Sequence, residues 1–433
     1  MRKILLINIG FTVLFSSCLY AVNENRNRVH SVNKAIQKIT KVKEKEPSIV
    51  EKLHSVVKDG KVIGQFRTLY SGFENKNSVN NYATAVGGML KYETAQYHGV
   101  SAAAAMVTTN DIRALSGENQ KYNEELSGTS RSYTQLSEAY LNYSYKTLEL
   151  RAGRQIIDTP LADSDDIRMV GNSFEAYTAQ YLYNHWNFMF GHLQRWQGND
   201  AGLDKGWVKT GKNGSQYMGI SFSNKVLDIS AWYYNFSNPS VEDIAQGDDK
   251  VANRSFYTDI SAHINVKKEL FLHFNGQYLK QKELDNSQIA ADIYGVMGEI
   301  VYNKLGLRLA YNSSNKKSAK QSFSGYGGGT LFTSMDSMIL DEITADRKAD
   351  AIMAAVSYYY KRLKFLYAYG DFKGEADTSG VKAHIIEQNI AAKYKYNKAL
   401  TIGAIYVIER NKEYSQSLEF NNDNFRLLFA YNF

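Results

Sequence analysis

The stretch NFRLLFAYNF (residues 424–433) ends the chain, and how it is read decides the fold. Phe425, Leu427, Phe429, Tyr431 and Phe433 alternate with Arg426, Leu428, Ala430 and Asn432. A period of two sustained to the last residue predicts a strand with one apolar face. Soluble domains more often trail off into loosely ordered polar residues. A strand running to a final aromatic is therefore expected to be structural at its very end, pairing with another strand to close a sheet.

Working back from that strand, the same pattern recurs from about Gly60 onward in segments of about ten residues, the length a tilted strand needs to cross a bilayer. Eighteen segments are predicted. The first nine are 62–72, 82–94, 97–108, 133–145, 147–155, 174–183, 186–194, 215–222 and 225–236. The second nine are 254–264, 269–280, 291–302, 305–313, 348–360, 363–371, 383–395, 398–409 and 423–433. Short links at 184–185, 223–225, 265–268, 303–304 and 396–398 alternate with long polar ones at 109–132, 156–173, 195–214, 237–253 and 314–347. Short turns at one end, long loops at the other and an even strand count describe an all-β transmembrane antiparallel barrel. A soluble β-sandwich would show no such one-sided asymmetry.

Composition agrees. Tyrosine is abundant (32 residues) and proline nearly absent (3), as an uninterrupted sheet meeting a membrane interface requires. No segment after the N-terminal one has 18 consecutive apolar residues, so helical spans are excluded. The net charge of +7 is spread along the chain without a basic stripe, so no nucleic-acid partner is expected. Residues 1–21 read as a signal peptide, with Arg2 and Lys3 before an apolar stretch and a cleavage site after Ala21. The competing reading makes Cys18 a lipid-attachment site. Residues 22–60 form a charged leader with two short helical patterns, Val32–Ile36–Ile39 and Ile49–Leu53–Val56, on either side of Pro47. The barrel is expected over 61–433, in the outer membrane of a Gram-negative bacterium.

If each strand turns its apolar face to lipid, the other face lines the lumen. This parity places Arg67, Arg308, Lys364, Lys393, Lys395 and Arg426 inside as basic candidates, together with Glu138, Glu149, Arg151, Asp228, Asp259, Glu299 and Glu387. So many charges exclude a dry packed core and predict a water-filled pore. Two loops stand apart. One, at 153–176, carries Asp158, Asp163, Asp165, Asp166 and Arg168. The other, at 324–343, reads SGYGGGTLFTSMDSMILDEI, with glycines for a tight fold and apolar anchors at Leu331, Phe332, Met335 and Met338. A long loop with apolar anchors is expected to fold into the barrel and narrow it.

The segment LRAGRQIIDTPLADSDDIRMVGNSFEA (150–176) resembles the strand-and-loop signature of OprD-type outer-membrane porins. VVKDGKVIGQFRTLYS (56–71) is similar to that family's approach to its first strand, and GYGGGTLFTSMDSM (325–338) to its long constricting loop. The resemblance implies a passive channel for small hydrophilic solutes, with carboxylate-bearing nutrients such as amino acids or small organic acids favoured. It implies no cofactor and no metal, contact with outer-membrane lipid and lipopolysaccharide, and a monomer or trimer. By matching motif it places Arg151, Arg154, Asp163, Asp166 and Arg168 at the constriction, faced by Ser334, Asp336 and Ser337. The alternatives are an adhesive or structural barrel, or a barrel enzyme. The scattered histidines (98, 185, 192, 263, 273 and 384) have no Gly-x-Ser-x-Gly partner and are read as lumen or interface residues, not catalytic ones.

Overall fold

The structure, a computed structural model, describes residues 49–240, 250–413 and 421–433. The signal segment, Cys18 and the first leader helix lie outside them. The second leader helix is present as α1 (Ile49–Lys58). Its C-terminal turn docks at the turn end of the sheet, where the Val56 carbonyl accepts the Ala95 N–H (3.0 Å) and the Val57 carbonyl accepts the Tyr92 hydroxyl.

The strands are β1 (Lys61–Asn75), β2 (Asn81–Glu93), β3 (Val100–Asp111), β4 (Ser132–Tyr145), β5 (Leu148–Gln155) and β6 (Ser173–Tyr183). They continue as β7 (Trp186–Gln197), β8 (Ser215–Ser223), β9 (Leu227–Phe236), β10 (Asn253–Lys267), β11 (Leu270–Glu283) and β12 (Ala291–Tyr302). The last six are β13 (Leu305–Ser314), β14 (Ala349–Tyr360), β15 (Leu363–Gly374), β16 (Ala383–Lys395), β17 (Leu400–Asn411) and β18 (Asn422–Asn432). A two-residue ribbon, Val208–Lys209, adds to the loop end of β7. Each strand pairs antiparallel with its sequence neighbours, and β18 pairs with β1 from Gln65↔Asn432 to Asn75↔Asn422. The result is a closed eighteen-stranded transmembrane barrel. All eighteen predicted segments are strands. The turn read at 265–268 falls at 268–269, because β10 runs on to Lys267.

The closing seam explains the final phenylalanine. Gly64 and Phe433 exchange two backbone hydrogen bonds of 2.9 Å. A Cβ on Gly64 would lie 2.2 Å from the Phe433 ring, so the glycine leaves a slot that the ring fills. The tight turns are equally local. Lys146, Asn184, Asn303 and Lys361 open four two-residue turns with φ of 54°, 52°, 55° and 54°. A positive φ at that position belongs to the primed turns, whose twist matches the flanking strands.

The outside of the barrel is apolar. Leu309, Leu141, Val296 and Phe274 are all more than half exposed. Beside the short turns stand Tyr145, Tyr183, Trp186, Tyr302, Tyr360, Tyr396 and Phe433, an aromatic girdle that takes up part of the tyrosine content. No described helix is long and apolar enough to cross a membrane.

The inside departs from expectation. Charge was expected to exclude a packed core, yet part of the lumen is one. Phe174, Tyr217, Trp232, Tyr234, Phe236 and Tyr257 line the wall from β6 to β10. Leu161, Tyr326, Leu331, Met335, Met338, Leu340 and Ile343, from the two inserted loops, pack against it. On these strands the inner face is apolar for the loops, and the outer face is apolar for lipid except at its loop end. The charged residues occupy the remaining wall.

Candidate functional site: a loop-narrowed lumen

Three loops meet inside the barrel: 112–131, 156–172 and 315–348. The last two are joined backbone to backbone. The Asp163 N–H donates to the Tyr326 carbonyl (2.8 Å) and the Tyr326 N–H donates to the Leu161 carbonyl (3.1 Å). The glycine run makes this approach possible. Gly325, at φ 92°, would put a Cβ 2.3 Å from the Leu161 carbonyl oxygen, so no larger residue fits. The apolar anchors are buried as expected, with Met338 fully inaccessible and Phe332 half-buried against the core.

Charged side chains fasten these loops to the opposite wall. Arg67 on β1 makes a bidentate pair with Asp166 (2.6 and 2.9 Å) and donates to the Arg168 carbonyl. Arg168 pairs with Glu125, which also accepts from the Ser71 hydroxyl (3.1 Å). On β18, Arg426 pairs with Asp336. On β16, the buried Glu387 carboxylate accepts the backbone N–H groups of Asp336 (2.9 Å), Ser337 (3.2 Å) and Met338 (2.6 Å). Asp166 and Arg168 thus lie beside Arg67, and Asp336 and Ser337 beside Arg426 and Glu387, while Asp163 sits where the two inserted loops join. Ser334 is half-buried within its loop, its N–H on the Leu331 carbonyl (3.0 Å).

Arg151 lies on the lumen wall away from this cluster. It pairs with Glu149 (2.5 Å) and covers the Tyr140 ring at 4.3 Å. Arg154 does not join it either, contrary to what the motif implies. It is three residues from Arg151, so strand parity turns it to the outer face beside Ala139, where it pairs with Glu175 (3.6 Å) and stacks on Trp207 (4.7 Å).

The other basic candidates occupy the turn-side half of the wall. Arg308 is buried against Glu299 (3.2 Å). Lys364 stands directly opposite Lys393, and Lys395 follows two residues on, exposed to the lumen. Registers link Lys395 through Thr401 and Ala430 to Arg67 in one rung. Sequence reasoning missed Lys91, which pairs with Glu138 (2.8 Å), and Glu125, which lies in a loop without alternation. It also missed Glu342 and Glu409. These two, with Glu125, Asn123, Ser337 and Asn422, line a cavity of about 730 Å³ on the loop side of the constriction.

The loop charges respond to this setting. Burial opposes ionisation of Glu125, but Arg168 and Arg426 outweigh it and hold the carboxyl down at about 2. Asp165 goes the other way. Burial, then Asp200, Asp163 and Asp166, push it up to about 7 despite Arg168. The folded loop holds this proton more tightly than an unfolded chain would. Its contribution to stability is therefore full below the ordinary 3.8 and lost as pH rises towards about 7. Raising the pH from about 5 to about 8.5 is expected to loosen the loop and add one negative charge to the lumen. Ion preference should shift towards cations over that window, and Asp165→Asn should remove the step. An unchanged pH profile in the variant would count against this assignment.

No family model matches the sequence, and no curated protein is similar to it. Solved structures do match in fold. OccAB4 of Acinetobacter baumannii superposes with a TM-score of 0.72 at 13% identity, over 86% of this chain and 98% of that one. OpdK of Pseudomonas aeruginosa, crystallised with vanillate, gives 0.70 at 15% identity, over 87% and 99%. OccK9 (OpdG) of the same organism gives 0.72 at 10% identity, over 87% and 99%.

Proposed function

We propose that this chain is an OprD-type porin of the Gram-negative outer membrane, a water-filled channel through which small hydrophilic solutes diffuse. Carboxylate-bearing solutes are the favoured class. The observation that carries this reading is the inward-facing group of Lys364, Lys393 and Lys395 on β15 and β16, on the turn side of the loops that narrow the lumen, with Lys395 exposed. Four of the lumen carboxylates are already held by partners of their own. Glu138 is held by Lys91, Glu149 by Arg151, Glu299 by Arg308 and Glu387 by three backbone N–H groups. On the loop side the cavity walls are carboxylates and amides, suited to an ammonium group. An amino acid could satisfy both regions, ammonium first and carboxylate on the basic wall. OpdK with vanillate, a carboxylate, in a barrel of the same fold supports the class.

Transport of this kind needs no cofactor, and the reading includes no enzymatic step. The test is conductance of the refolded chain in planar bilayers, with liposome swelling in amino acids, small organic acids and neutral sugars of matched size. Steady ohmic channels and faster entry of the carboxylates are expected. Folded barrels that pass no current would overturn the pore reading and favour an adhesive one.

A further inference from the structure

A row of polar side chains crosses the outside of the barrel at its loop end. Strand registers set Tyr177 beside His192, then Gln216, Asn235, Arg254 and Lys282 in turn. Their chain neighbours Ala176, Leu193, Tyr217, Tyr234, Ser255 and Gln281 are buried on the lumen side, so the row faces out. It is held in register by hydrogen bonds of 3.1 Å between Gln216 and His192 and 3.1 Å from the Asn235 amide to Gln216. Arg254 and Lys282 end the row, both exposed. One step towards the turns, the next outward row is Phe190, Met218, Tyr233 and Phe256, ending in the exposed Lys280. A recess of about 660 Å³ opens over the first row from Tyr177 to Arg254 and over Phe190, Met218 and Tyr233 of the second, and the registers set Phe256, Lys280 and Lys282 next to its Tyr233 and Arg254 edge.

Arg254 is the second residue of β10 and Lys282 the last but one of β11, so the cations sit where the strands leave the apolar band. A cation fully inside that band would be costly, whereas at its edge it can meet a headgroup. We propose that this recess seats a phosphate-bearing lipid of the outer leaflet. Its acyl chains run over Phe190, Met218 and Phe256. Its phosphate meets the Arg254 fork and the Lys282 and Lys280 ammonium groups, and its sugar hydroxyls meet His192 and Asn235. The inference rests on the outer-membrane reading but not on conduction.

The test titrates the purified barrel in zwitterionic detergent with bisphosphoryl lipid A, its dephosphorylated form and inorganic phosphate, read by native mass spectrometry. The wild type is expected to retain the bisphosphoryl lipid, and R254A/K282A to lose on the order of tenfold in affinity or more. Conductance should be unchanged, since both residues face away from the lumen. Lys282→Gln alone serves if the double variant fails to refold, with a smaller loss expected. Equal retention by variant and wild type, equal retention of the dephosphorylated lipid, or full competition by inorganic phosphate would each overturn the proposal. A barrel that passes no current yet shows the differential would sink the pore reading and leave this one standing.

Discussion

Replacing Glu387 with alanine is expected to raise single-channel conductance severalfold and to weaken ion preference. Glu387 is fully buried on β16, 49 to 51 residues from the loop backbone it binds. Its carboxylate gathers three successive N–H groups, from Asp336, Ser337 and Met338. Alanine would orphan all three, at about 1–3 kcal/mol each if they stayed buried. The neighbouring pair of Asp336 with Arg426 depends on the same loop position, so it would loosen as well. The base of the loop has other anchors. Leu340 and Ile343 remain in the core, and Phe323 exchanges hydrogen bonds of 2.8 and 2.9 Å with Gln281 on β11. The tip around 334–338 should therefore swing from the wall while the barrel stays folded. Glu387→Gln keeps one acceptor oxygen and is expected to fall between. Paired recordings of the wild type and both variants check the order, and an alanine variant with wild-type conductance would show that this latch does not set the bore.

Much of the fold could be read from sequence because each barrel strand obeys a rule that needs no distant partner. Alternation places Leu305, Leu307 and Leu309 outside and Arg308 inside whatever lies across the lumen. The same holds for Phe425, Phe429 and Tyr431 against Arg426. The rule gave no warning on β9, where WYYNF is apolar at every position but one. There Trp232, Tyr234 and Phe236 face a loop core rather than water. The site was less legible for a related reason. Glu387 reads as one more lumen charge until its loop partners are known, and Glu125 carries no periodic signal at all. Arg154 shows the opposite failure, a residue whose strand position already contradicted the motif that claimed it.

Reversing the charge of the turn-side wall, with Lys364, Lys393 and Lys395 all changed to glutamate, is expected to invert the sign of the reversal potential under a salt gradient. Lys364 and Lys393 are directly opposed across β15 and β16, and Lys395 adds a third cation on the same face. Like charges placed directly across a ladder destabilise a sheet, by up to about 1 kcal/mol per pair. Neutralising Lys393 with glutamine should therefore give two effects of opposite kind, a slightly higher melting temperature and a weaker anion preference. A purely structural lysine would lower both or change neither. Because Lys395 is exposed, the preference should also fade as salt rises and the Debye length shrinks to about 3 Å at 1 M. Recordings of wild type, Lys393→Gln and the triple variant at low and high salt separate these terms. If the triple variant keeps the wild-type sign, selectivity is set at the loop cluster of Arg67, Arg168 and Arg426, and the lysine wall only shapes the exit.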